Sequence, residues 1–150
     1  MIVYPDTSFL CAVYREQDNS HRADAWKAGF PGPLSVSSLL LLEFRQSIRF
    51  QMRLFAKDRG KGFSKIEATA MLRALNSDLA AEVFRMVAPD WADVHRIAEE
   101  LSGKHTEING HRLVDILHVA TALHFGAEQF LTFDANQKRL AEAEGMQVPV

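Results

Sequence analysis

Cysteine is almost missing from this chain of 150 residues. The single Cys11 has no partner for an internal disulfide, and its neighbours Phe9, Leu10, Ala12 and Val13 make it a small packing residue. The expected setting is reduced and cytoplasmic. No apolar run is long enough to span a bilayer, and the N-terminus lacks a signal-peptide pattern, so no membrane association is expected. A glycine-rich phosphate loop and a Ser-His-Asp order are both missing, which removes two large enzyme classes. His105, His111, His118 and His124 fall six or seven apart, unlike the three or four of helical zinc ligands. There is no internal repeat or low-complexity segment. Nor is there a strong charge of one sign, the formal net charge being −2. That balance hides an asymmetry: residues 1–65 hold ten Lys/Arg against six Asp/Glu, and residues 66–150 hold seven against thirteen.

What is present is an ordinary globular composition, 47% hydrophobic and 24% charged, enough for a full core in one domain spanning residues 1–150. Short strand-like runs alternate with helical ones. Ile2–Tyr4 reads as a strand ended by Pro5, Thr7–Tyr14 and His21–Gly29 as helices, and Leu34–Val36 as a short strand. A long helix capped by Ser37 or Ser38 runs to Lys57, and another runs from Ser64 to Glu82. Phe84–Ala88 is a third strand candidate, followed by a helix that Pro89 and Asp90 open. Thr106–Gly110 reads as loop. Leu113, Ile116, Leu117, Ala120 and Leu123 mark a core helix that Gly126 can end, and Phe130–Phe133 reads as a strand. Ala135–Gly145 and Met146–Val150 close the chain as helix and strand. This alternation predicts an α/β fold, a parallel sheet flanked by helices on both sides.

In such sheets ligands bind beyond the carboxyl ends of the strands. Asp6 and Asp134 follow two strands, Glu43 lies early in the long helix, and Asp115 lies early in the core helix. Asp6 and Asp134 could each serve as helix caps, and Glu43 could be a solvated helix residue. Asp115 is harder to dismiss, because a carboxylate among apolar neighbours is costly unless something pairs with it. Four carboxylates meeting at one edge repel unless a divalent cation sits among them, and oxygen ligands suit Mg2+ or Mn2+. Such a site can orient a water and stabilise charge on a phosphodiester. Thr7, Ser8 and Thr132 place hydroxyls beside the acids. Arg112, one turn before Asp115, is suited to a substrate phosphate or to an ion pair with an acid.

These residues carry a resemblance. Asp6-Thr-Ser after an opening strand resembles the start of a PIN domain. So do a glutamate in the helix after the second strand, Arg112-x-x-Asp115 with Ala120-x-Ala122 behind it, and Leu131-Thr-x-Asp134. Within that family the chain looks most like the VapC-type toxins. The resemblance implies a magnesium- or manganese-dependent endoribonuclease, made with a cognate antitoxin and homodimeric. It maps the four catalytic, metal-carrying acids to Asp6, Glu43, Asp115 and Asp134, with Thr7, Ser8, Thr132 and Arg112 in support. Two departures stand out. The segment Ala135-Asn-Gln137 lacks an aromatic residue often found there, and Pro5 directly precedes the first acid.

A basic stripe, Arg45, Arg49, Arg53 and Lys57, falls at helical spacing and is a candidate for contact with RNA phosphates. The alternative is a solvated face. Two rivals to the nuclease reading are weighed. A receiver-type phosphoacceptor would want paired acids after the first strand and a lysine near the last acids, and neither is present. A PIN-like RNA- or protein-binding domain without catalysis is separated from an enzyme only by assay.

Overall fold

The computed structural model describes residues 1–150. The central strands are β1 (Val3–Pro5), β2 (Leu34–Val36), β3 (Phe84–Met86) and β4 (Gln129–Leu131). β1 pairs in parallel with β4, and β2 in parallel with β3. All three residues of β1 are buried, as expected for a parallel strand covered on both faces.

Pro5 belongs to the strand instead of ending it, lying opposite Leu131. The Asp6 N–H donates to Leu131 O across β4, so the ring nitrogen of Pro5 faces the opposite edge. β2 lies on that side, and the missing donor falls where no ladder joins β1 to β2. A hydrogen bond between Tyr4 Oη and Ser37 Oγ, 2.6 Å long, bridges the two halves there.

The helices are α1 (Thr7–Tyr14), α2 (Ser20–Gly29), α3 (Ser38–Lys57), α4 (Lys65–Ala80), α5 (Trp91–Leu101), α6 (Glu107–Asn109), α7 (Leu113–His124) and α8 (Ala135–Ala143). Their starts follow the sequence. Ser37 accepts from the Leu40 N–H at α3, and Ser64 and Glu67 form a reciprocal capping box at α4. α7 closes on Gly126, whose φ of +67° lets the Ala127 N–H reach back to Ala122 O at 2.9 Å. α3 buries Leu40, Leu41, Phe44 and Ile48, while Leu42 and Phe50 stay exposed.

Two segments differ from expectation. Thr106–Gly110 is not a plain loop: a π-helical stretch, Ser102–Thr106, continues α5 into α6, and Gly110 at φ +68° ends the run. Met146–Val150 is not a strand. Only Gln147 reaches the sheet, donating to Glu128 O and accepting from the Phe130 N–H. Pro149 has no N–H to extend a ladder, and Val150 packs into the core instead.

Candidate active site

The acids are set at the carboxyl end of the sheet by the elements that precede them. Asp6 leaves β1 and caps α1, accepting from the Phe9 N–H at 3.0 Å. It is wholly buried. Its Oδ1 also accepts from Ser8 Oγ at 2.6 Å, and its Oδ2 accepts from Thr132 Oγ1. Ser8 Oγ in turn accepts from the Phe133 N–H at 2.8 Å, and Thr132 Oγ1 from the Asp134 N–H at 2.9 Å. The two hydroxyls therefore fasten the end of β1 to the turn after β4. Every group bonded to Asp6 is neutral. Burial dominates these bonds and pushes its carboxyl up to about 6.

Asp134 caps α8, its Oδ1 accepting from the Asn136 and Gln137 N–H groups at 2.9 and 2.8 Å. Its Oδ2 has no protein partner. Glu43, in the second turn of α3, places one oxygen, Oε2, between Thr7 Oγ1 at 2.6 Å and His118 Nε2. Burial raises its carboxyl, but the bond and charge of His118, with Thr7 and Arg112, more than offset this and hold it below the usual range. Glu43 Oε1 is left without a partner. Asp115 is nearly as buried as Asp6, yet the Arg112 guanidinium meets it through Nε at 3.0 Å and Nη2 at 3.3 Å.

The structure thus links Asp6, Ser8, Thr132 and Asp134 in one network and Thr7, Glu43 and His118 in a second. Arg112 and Asp115 form a third unit, near enough for Asp134 and Glu43 to bear electrostatically on Arg112. The side chains as they stand do not set three such groups around one point that could hold a metal ion. The donor set nevertheless fits a hard cation in kind. Free oxygens remain on Glu43 and Asp134, and the oxygens of Asp115 are held only by Arg112, whose side chain is 77% exposed.

Two histidines stand here as well: His118, which the sequence suggests as a core or rim residue able to approach the site and which is wholly buried, and His111, which no motif marks. His118 follows Asp115 by about one turn of α7, and its contact with Glu43 joins side chains 75 positions apart in the chain. His111 has neither ring nitrogen bonded, and burial, with the charge of His105, lowers its imidazole below the ordinary value against the opposing pull of Asp115 and Asp134. The basic stripe runs along α3 with Arg45 half-buried and Arg49, Arg53 and Lys57 exposed. None of the four takes part in an ion pair.

The family model of the PIN domain matches residues 3–143. The chain belongs to the PIN-domain family. Solved structures with the same fold include VapC20 of Mycobacterium tuberculosis, described as a Sarcin-Ricin loop cleaving toxin, at 20% identity and a TM-score of 0.68, with 97% of this chain and 98% of that one covered. VapBC2 of Rickettsia felis, bound to a DNA fragment from its promoter, matches at 16% identity and a TM-score of 0.60 over 93% of each chain. A toxin–antitoxin complex of Klebsiella pneumoniae matches at 13% identity and a TM-score of 0.62, covering 100% of this chain and 98% of that one. No curated protein sequence matches. No helix is long and apolar enough to cross a membrane.

Proposed function

We propose that this PIN domain is a ribonuclease dependent on magnesium or manganese, and the toxin of a toxin–antitoxin pair. The observation that carries the reading is Asp6: a wholly buried carboxylate at the end of a parallel strand, oriented by Ser8 and Thr132 and contacted by no cation. A charge kept there without a partner is a standing cost that a bound cation removes. Asp6, Asp115, Asp134 and Glu43 would hold the ion, which would polarise a water and offset charge developing on an RNA phosphodiester.

The chain's own residues prepare that chemistry. Ser8 and Thr132 fix both oxygens of Asp6. Thr7 and His118 fix one oxygen of Glu43 and leave the other directed to a ligand or an attacking water. The exposed Arg112 can exchange Asp115 for a substrate phosphate, a guanidinium being suited to two-point contact with either. Arg45, Arg49, Arg53 and Lys57 would follow the RNA backbone along α3.

The antitoxin partner is supported by structures of this fold that were solved as toxin–antitoxin complexes. A homodimer is part of the same reading, and the exposed Leu42 and Phe50 offer apolar surface for it. The deciding experiment is cleavage of single-stranded RNA with magnesium, with manganese and with chelator. Cleavage that needs a metal and is lost in Asp6→Asn is the expected result. RNA binding without cleavage under either metal would leave a silent binding domain.

A further inference from the structure

Beside the acids lies an open cavity of about 520 Å³ between the α1–α2 loop and the turn after β4. Its floor is the half-buried Cys11 and the ring of Phe133, which stacks on Phe9 at a centroid distance of 6.0 Å. Its rim is Gln17, Asp18 and Asn19. It opens directly onto Ser8, which orients Asp6, and onto Asp134. None of the three rim side chains has a hydrogen-bond or ion-pair partner within the protein. The loop that presents them is nonetheless pinned. Ser20 is buried, its Oγ accepts from the Gln17 N–H at 3.0 Å, and it donates to Ala12 O at 2.7 Å. Gln17 and Asp18 are exposed and Asn19 is half-buried, so the polar ends of all three are open to a ligand while the backbone that carries them is held.

We propose that this cavity takes an unpaired nucleobase of the RNA strand, from a nucleotide next to the cut phosphodiester. This rests on the ribonuclease reading above. Three features select a base over other ligands. The Phe133 ring gives a stacking surface once the exposed Arg22 guanidinium over it yields its place to the base. The amides of Gln17 and Asn19 each donate and accept, and the carboxylate of Asp18 accepts, which suits the mixed edge of a base. Asp18 and Asp134 together make the cavity hostile to a phosphate.

The phosphate has a place nearby. A neighbouring cavity of about 170 Å³ shares Asn19, Phe133 and Asp134 and adds Arg22 and Lys138. The Arg22 guanidinium sits 5.3 Å from the Phe133 ring centroid and has no carboxylate partner. A strand can thus leave its base among the amides and lay its backbone against these cations.

The test uses the full chain, a Gln17→Ala/Asn19→Ala double variant and a Phe133→Leu variant, each checked for folding by its melting curve. Products from a randomised single-stranded RNA pool are sequenced, and binding of oligo-A, oligo-C and oligo-U is measured by fluorescence anisotropy in chelator. Wild type is expected to prefer one base at one position beside the cut, and to bind the matching homopolymer most tightly. The double variant should lose the preference while still cutting. Phe133→Leu should weaken binding to every homopolymer by about tenfold, through lost stacking. Should Phe133→Leu fail to fold, the rim double variant decides alone. A cutting wild type with no base preference, or a preference untouched by the double variant, overturns the pocket and leaves the nuclease. A base preference in binding that the double variant erases, with no cutting by any protein, overturns the nuclease and leaves the pocket. Neither binding nor cutting by wild type overturns both.

Discussion

Asp6 and Asp115 are the same side chain, at the same end of the sheet, and equally hidden at 0% and 3% exposure. Their compensation differs. Asp6 is held by two hydroxyls and an amide, all neutral, while Asp115 is held by a guanidinium. Neutral dipoles fix a carboxylate's position without supplying a full opposite charge, and burial still pushes Asp6 up to about 6. A guanidinium supplies the charge, but this one is exposed and can leave. One acid is rigid and touches no cation, the charge of His118 offsetting its burial only in part. The other has its counter-charge on a side chain free to be displaced. Under the proposed function, holding a metal ion and receiving a phosphate would make different demands, and these two acids would answer them separately.

The largest expected effect breaks the site at either acid. Asp6→Asn and Asp115→Asn should each lower metal-dependent RNA cleavage by about a hundredfold or more, because each removes an anionic ligand. Stability should then split the pair. In chelator at pH 7.5, Asp6→Asn should match or exceed wild type in urea unfolding, since it removes an uncompensated buried charge. Asp115→Asn should fall below wild type, since it removes an ion pair. Full activity in either folded variant would reject the site, and equal stability changes would reject the contrast.

The next effect isolates Asp6 by pH. Its folded value of about 6 lies above an unfolded value of 3.8. Below the unfolded value the group is protonated in both states and costs nothing. As pH rises from there toward 6 the unfolded chain ionises first, so the folded state loses stability, and the loss is complete above 6. Glu43, with a lowered carboxyl, acts in the opposite sense, and only as pH falls through and below the ordinary glutamate range. Between pH 4.5 and 7, metal-free wild type should therefore lose roughly 2 kcal/mol that Asp6→Asn does not. Magnesium binds the folded chain alone, so millimolar metal should raise the wild-type melting midpoint at pH 7.5 and shift either variant less. A wild-type midpoint indifferent to both magnesium and manganese would argue that the acids do not form a metal site.

The contrast also marks what a reader of the sequence can see. Strand ends are visible, so Asp6 and Asp134 could be placed at the sheet edge, and the apolar neighbours of Asp115 marked it as buried. The family pattern added Glu43 by its place in the helix after β2. Partners distant in the chain are not visible. The hold of Thr132 on Asp6, of His118 on Glu43 and of Ser37 on Tyr4 each needs two elements to be packed first. The repulsion expected among four carboxylates depended on their mutual distances. What the structure reports for Asp6 is burial as the largest cause of its shift, opposed by its hydrogen bonds and by the charge of His118. Pro5 signalled a break, but whether it ended β1 or only one of its ladders depended on which edge its nitrogen faces. Gln17, Asp18 and Asn19 carried no pattern. They read as a polar connector and gain meaning only beside Phe133.

The smallest effect probes the displaceable partner. Arg112→Gln leaves Asp115 buried without its guanidinium. Because the Arg112 side chain is 77% exposed, the stability lost should be only about 1 kcal/mol, far less than for a fully enclosed pair. Its clearer signature lies in RNA binding. If Arg112 meets a substrate phosphate, removing it deletes one released counterion, and the slope of log K against log salt for single-stranded RNA should flatten by about 0.7. Arg49→Gln with Arg53→Gln, on the free stripe of α3, should flatten it by about 1.4. The measurement is anisotropy of a labelled RNA across a salt series in chelator, with Asp6→Asn as background so that no substrate is consumed. A slope unchanged by Arg112→Gln but flattened by the stripe variant would make Arg112 a structural partner of Asp115 alone. The reverse would place the RNA over the acids and leave the stripe as solvated surface.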